Sequence, residues 1–245
     1  MPPRDLQHET LRIYKTLVDE PEDRGGKLIL VCGTGCAHSG APAAVSIAGG
    51  ATLAIDSDAA AMKSAMRAGY LDFVVNSLDE AQRTLKNEIR LRRPLSVGLI
   101  SDVDAALTEI IERGIQPDLY LVPANCSPVP GSQIRILKQR GTVQLHGRGL
   151  HDEGDGFHPI IRPLLILNRQ RRYEHFFAAA DASALRSIDA ALLAALPPAD
   201  TLRRRWIDRV PRYLREARSG GRWIWLSEDE LASLAATGIT PQPSS

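Results

Sequence analysis

The chain has 245 residues, with 30 Lys and Arg against 29 Asp and Glu for a net charge of +1. That balance argues against nucleic acid as a partner of the whole chain, because phosphate binding needs a concentrated positive field. An apolar share of 44% beside 24% charged residues argues against disordered and fibrous classes. The length accommodates one sizeable α/β domain with a smaller appendage, around a core that needs neither disulfides nor metals.

The first residues, MPPRDLQHETLRIY, lack the apolar stretch of a signal peptide, and no run reaches the roughly 18 apolar residues of a membrane span. Three cysteines, Cys32, Cys36 and Cys126, form no CxxC pair. A cytoplasmic protein with no membrane partner is expected. Residues 5–20 read as an amphipathic lead-in helix through Leu6, Leu11, Ile13, Leu17 and Val18, broken by EPEDRGG at 20–26. KLILVC at 27–32 is then a continuous apolar run, as a parallel strand buried on both faces requires.

Gly33, Gly35 and Gly40 follow at once, in the turn GTGCAHSG, and the small apolar stretch 42–49 suits a helix packed tightly beneath it. A second strand, TLAID at 52–56, ends in Asp56. Asp58 caps a helix to Arg67, Phe73–Val75 is a short strand, and Ser77 with Glu80 reads as a capping box for a helix to about Leu91. Strands at 95–100, 119–122 and 142–146 alternate with helices at 102–113 and 131–140. Uninterrupted alternation with short connections predicts a Rossmann-like α/β fold, a parallel sheet with helices on both faces. Beyond His146 come a Gly, His and acid-rich loop, helices at about 183–196 and 200–217, and a last strand at 222–226. The expected organisation is a lead-in helix (1–24), the Rossmann-like domain (25–150), a small, mainly helical C-terminal region (151–238) and a frayed tail (239–245).

Strand, glycine-rich turn and helix in succession direct backbone N–H groups and a helix dipole at a pyrophosphate. Glycines let the ligand approach the backbone, and an acid closing the second strand accepts hydrogen bonds from ribose hydroxyls. The spacing GxGxxxxG departs from GxGxxG, so a purely structural tight turn is the competing reading. Cys36 and His38 sit in this turn, where a helix N-terminus stabilises a thiolate; packing is the alternative role. Cys32 reads as a buried small hydrophobe, and Cys126 lies in the loop after the strand at 119–122. His146, His151 and His158 with Asp152, Glu153 and Asp155 lack metal-site spacing, so no metal is expected. The arginines at 90–93, 169–172 and 203–205 read as solvated helix ends, and Trp206, Trp223 and Trp225 as core.

The blocks GTGCAHSGAPAAVSIAGGATLAIDSD, AGYLDFVVNSLDEA, PLSVGLISDVDAAL and RGIQPD resemble, in order and spacing, the NAD-binding domain of urocanase. GFHPIIRPLL at 156–165, TLRRRWID at 201–208 and RWIWLSEDE are similar to later family segments. The resemblance implies bound NAD+, used by the family as an electrophile in adding water to urocanate. It assigns Gly33, Gly35, Pro42 and Asp56 to the cofactor and matches Arg162 to a family arginine suited to an anionic group; Cys36, His38, Gly40 and Ser101 are weaker candidates by their place in the turn and at the strand end. Where the family reads GGMGG this chain has Cys36, Ala37, His38 and Ser39, and where it reads GLLGN this chain has Ser101 and Asp102, whose carboxylate opposes a pyrophosphate unless paired. The family's TDQTSAHDP loop is LVPANCSPVP here, and Ile166 stands at its reactive cysteine. The family's substrate core, in long flanking segments, is absent from this sequence. These features imply a divergent, stand-alone relative that binds the dinucleotide. The alternatives are a urocanate hydratase or related lyase of histidine catabolism, completed by a homodimer or partner chain, and a structural or interaction protein without ligand.

Overall fold

The structure is a computed structural model and describes residues 6–18, 24–123, 131–146, 172–218 and 220–242. These fall into two compact units, 6–146 and 172–242.

The first unit is a six-stranded, wholly parallel sheet. Its strands are β1 (Leu28–Cys32), β2 (Ala51–Asp56), β3 (Phe73–Val75), β4 (Leu95–Ile100), β5 (Leu119–Val122) and β6 (Val143–His146). Its helices are α1 (Leu6–Val18), α2 (Ala41–Ala48), α3 (Ala59–Ala68), α4 (Leu78–Arg90), α5 (Val103–Glu112) and α6 (Ser132–Gln139). The predicted Rossmann-like architecture is present, with each strand within a residue or two of its expected bounds. The order is β3-β4-β2-β1-β5-β6, so the chain builds one half on one side of β1 and returns to build the other. That reversal opens a crevice beyond the carboxyl ends of β1 and β5, the place where open α/β sheets bind ligands.

Each face of the sheet has its own helical layer. Leu28, Leu30, Leu53, Ile55, Val97, Leu99 and Tyr120 pack with α4, α5 and α6 through Leu85, Leu107, Ile110 and Leu137. On the other face α2 is buried along all eight residues, because α1 lies over it with Leu11, Ile13, Tyr14 and Leu17 at most 1% exposed. That double burial explains the sequence APAAVSIA: a helix between a sheet and another helix has no polar face to display. α3 crosses β4 at Gly98, where a methyl would lie 2.8 Å from Leu71 Cδ1 and 3.0 Å from Met62 Sδ. Asp72 locks β3 beside β4 by accepting from the N–H and hydroxyl of Ser96, at 2.8 and 2.9 Å.

Two local expectations change in detail. Ser77 caps α4 by accepting from Glu80 N–H at 3.3 Å, but the Glu80 carboxylate returns to the N–H of Asn76 and not to that of Ser77. Asp102 does not stand free beside the sheet edge; it is the N-cap of α5 and accepts from Ala105 N–H at 2.9 Å.

The second unit pairs β7 (Arg172–Ala178) with β8 (Gly221–Ser227) antiparallel, and adds α7 (Ala182–Ala195), α8 (Thr201–Tyr213) and α9 (Glu228–Ala236). β7 and α9 are additions to the sequence reading. Gln242 N–H donates to the Phe176 carbonyl at 2.8 Å, which ties the segment after α9 to β7. α8 meets the carbonyls of β8 through Trp206 Nε1, 2.7 Å from Trp223 O, and Arg203 Nη1, 3.0 Å from Trp225 O.

The reading of the arginines as solvated helix ends is corrected at Arg203, and Arg222, which that reading did not include, shares its burial. Arg203 and Arg222 are fully buried. Asp200 and Glu230 both hold Arg203, with Glu230 bidentate at 2.6 and 2.7 Å, and Asp189 holds Arg222 at 2.7 Å through two nitrogens. A guanidinium enters a core when carboxylates on neighbouring helices neutralise it and use its fork of donors.

Candidate functional site

β1 delivers the glycine turn to the carboxyl edge of the sheet. Gly33, Gly35 and Gly40 all have positive φ, at 117°, 82° and 72°, a region that residues with a Cβ enter at a cost. Between them Cys36–His38 form one short 3-10 turn, so α2 starts only after Gly40. The four-residue spacing between Gly35 and Gly40 is this turn.

Most donors of the segment are used inside the protein. Gly33 N–H donates to Ile55 O at 3.2 Å, Gly35 N–H to Asp56 Oδ2 at 2.8 Å and Cys36 N–H to Gly33 O at 3.0 Å. His38, Ser39 and Ala44 N–H donate to the carbonyls of Gly35, Cys36 and Gly40. The Ser39 hydroxyl donates to Cys36 O at 2.6 Å and accepts from Ala41 N–H. The first turn of α2 is buried, with Pro42 among its residues. The expected row of free N–H groups at a helix N-terminus is therefore not presented by α2.

Gly35 is where the turn opens. A methyl built on it meets nothing within 4 Å, and its neighbour Thr34 is exposed. Gly40 is the opposite case, pressed against α1 with Thr10 Oγ1 2.5 Å from where a Cβ would stand. Thr34 and Thr10 join the residues of the turn that its glycine spacing marks. The exposed position between two glycines is a usable signal for Thr34, whereas contact of Thr10 with the turn is set by tertiary packing.

The side chains of the turn are anchored. Cys36 is fully buried and its thiol donates to Ile55 O at 3.4 Å, so it packs and offers no accessible nucleophile. His38 is half-buried, with Nε2 3.0 Å from Ala61 O and its ring edge-on to Tyr70 at 6.0 Å. Asp56 is 1% exposed; its second oxygen accepts from Asp58 N–H at 3.0 Å. Ser101 N–H donates to the Asp56 carbonyl at 3.2 Å, which brings the ends of β2 and β4 to the same edge. Gly33, Gly35, Cys36, His38, Asp56 and Ser101 thus gather at one edge, while Gly40 and Pro42 lie sealed beneath α1 and inside α2.

Arg162, Cys126, Ile166 and the histidines and acids at 151–158 lie outside the described residues. Among the described residues no group of three or more His, Cys, Asp or Glu could hold a metal, and no helix is long and apolar enough to cross a membrane.

Residues 8–124 match the family model described as the urocanase Rossmann-like domain. The match runs from α1 through β5, so it takes in the helix laid over α2, the glycine turn, Asp56 and both sides of the crevice. Within the matched segment AGYLD places Tyr70 against His38, Leu71 against Gly98 and Asp72 on Ser96. Through residues 8–124 the chain is thus similar to the urocanase family, in its Rossmann-like domain.

Proposed function

We propose that the first unit is a dinucleotide-binding module of the urocanase type with NAD+ as its ligand. One observation carries this reading: the turn Gly33-Thr34-Gly35, with positive φ at both glycines, stands at the carboxyl edge of β1, where the strand order reverses, with open space over Gly35. A phosphate needs close approach to backbone, and Gly35 is the glycine of this turn that permits it.

The fit divides by residue. Thr34 and Gly35 fit a ligand lying along the edge, and Gly33, buried behind them, sets the bend. Gly40 and Pro42 shape the turn from below, and Asp56 has its carboxylate committed to backbone donors. The proposed module therefore holds the pyrophosphate over the first turn after β1 and not on the N-terminus of α2.

Isothermal calorimetry of the full chain with NAD+ tests this. Saturable binding with a dissociation constant below about 1 mM is the expected result. Protein that is folded by circular dichroism and gives no binding heat with NAD+ at several times that concentration would overturn it. Native mass spectrometry of freshly purified protein offers an independent readout, since a retained dinucleotide appears as a discrete mass increment.

A further inference from the structure

We infer that Asp56 is a positioning residue that clamps the glycine turn, and that the ribose beside β2 is recognised without its carboxylate. This rests on the dinucleotide reading above and departs from the usual rule, in which the acid closing the second strand of such a fold accepts from the ribose hydroxyls.

The argument begins with burial. An ionised carboxylate removed from water is costly unless donors replace the water. Asp56 is 1% exposed, and two backbone N–H groups replace it: Gly35 on Oδ2 at 2.8 Å and Asp58 on Oδ1 at 3.0 Å. Hydrogen bonds with an ionised acceptor are roughly twice as strong as neutral ones. The first holds Gly35 at φ 82°, where it caps the 3-10 turn; the second holds the residue that caps α3. The Asp56 carbonyl accepts from Ser101 N–H, so one residue ties the loops after β1, β2 and β4 together. A ribose hydroxyl needs an oxygen it can reach, and this carboxylate presents almost no surface.

Wild type and D56N of the full chain are compared in two measurements. The first is amide exchange by NMR in the absence of ligand. In wild type the Gly35 N–H is slow to exchange although the residue is half-buried, and in D56N the N–H of Gly35 or of Asp58 exchanges at least about tenfold faster, because one of these two donors then faces the NH2 of the new amide. A Gly35 amide that exchanges at the free-peptide rate in wild type overturns the clamp without any variant. The second is calorimetry with NAD+ and with its analogue lacking the 2′-hydroxyl of the adenosine ribose. The clamp predicts that D56N weakens both by the same factor, about tenfold, and leaves their affinity ratio unchanged. A ratio that collapses to one in D56N, with Gly35 and Asp58 exchange both unaltered, makes Asp56 the ribose acceptor and overturns the proposal. If neither ligand binds folded wild type, the dinucleotide reading fails, while the exchange measurement still decides the clamp.

Discussion

Replacing Glu230 with glutamine is expected to destabilise the second unit by about 3 kcal/mol, because it leaves the guanidinium of Arg203 in the core with one carboxylate instead of two. Glutamine keeps the shape and can accept one hydrogen bond, but its NH2 then faces a group that only donates. Glu230 also accepts from Ser227 N–H at 2.8 Å in the capping box that starts α9, so the same substitution loosens the junction between β8 and α9. The chain offers a direct readout: its 3 tryptophans, Trp206, Trp223 and Trp225, all lie in this unit. Fluorescence-detected thermal unfolding should show a midpoint lowered by roughly 15 °C in E230Q. An unchanged midpoint would mean that Asp200 alone neutralises Arg203.

The same pair sets a pH dependence whose direction follows from Glu230. Burial pushes its pKa up, but the Arg203 hydrogen bonds, the Ser227 N–H and the charges of Arg203 and Arg172 outweigh this and hold it below its ordinary 4.5. Burial pushes Arg203 down, and Glu230 and Asp200 more than reverse that, so its pKa is raised. A carboxylate depressed in the folded state contributes stability that is fully present above its unfolded value and is lost as pH falls through the folded one. The gap between wild type and E230Q in urea midpoint should therefore be widest near pH 7 and close below about pH 4. A gap of equal size at pH 7 and pH 3 would remove the ion pair as its cause.

The first unit was legible because its physics is local. Strands buried on both faces read as unbroken apolar runs such as LILVC and LSVGLI, and Asp58, Asp102 and Ser77 mark helix starts by chemistry that does not depend on distant residues. Strand order was not legible, since the placement of β3 outside β4 is decided by crossovers and by the Asp72–Ser96 lock, not by composition. β7 was missed for a related reason. RYEHFFA interleaves charged and aromatic residues, and what makes it a strand is pairing with β8, from Arg172 against Ser227 to Ala178 against Gly221. α9 carried a readable sign, the Ser227 and Glu230 capping box, that the acidic run SEDE obscured.

At the candidate site, residue types and spacing located the turn but not the state of its donors. Whether a glycine-turn N–H is free depends on what folds against it, and here Ile55, Asp56 and Ser39 meet those groups. Cys36 in place of a small family residue does not crowd a ligand path, because its side chain turns inward to Ile55 O. Asp102 likewise spends its carboxylate on α5. Departures from the family pattern that add polar atoms are thus compatible with the shared fold when those atoms find backbone partners.

Gly40, pressed against α1, contrasts with Gly35, which opens onto empty space, and its substitution is expected to be as costly as that of Glu230. G40A places a Cβ 2.5 Å from Thr10 Oγ1, 3.2 Å from Thr10 N and 3.3 Å from Thr10 Cα, at a φ of 72°. The hydroxyl cannot simply swing away, since it donates to Leu6 O at 2.7 Å, and the two backbone atoms belong to the middle of α1. Left-handed strain of about 1–2 kcal/mol adds to an overpacking cost of about 1–3, for a loss near 3 kcal/mol in chemical denaturation followed by far-ultraviolet circular dichroism. Removing the hydroxyl in T10A/G40A relieves only the shortest contact, so the double variant should recover about 1 kcal/mol and no more, because the backbone contacts and the strain remain. G35A supplies the contrast: it carries comparable left-handed strain at φ 82° but projects its methyl into open space, so it should cost about 1–2 kcal/mol and weaken NAD+ binding beyond what its stability loss explains. If G40A instead left stability intact and reduced only ligand binding, α1 would not be seated on the turn as described, and Gly40 would belong to the ligand side of the site. The expected opposite outcome makes the glycine-rich turn two objects in one: open space at Gly35, and a buttress at Gly40 where the first helix bears on the start of the second.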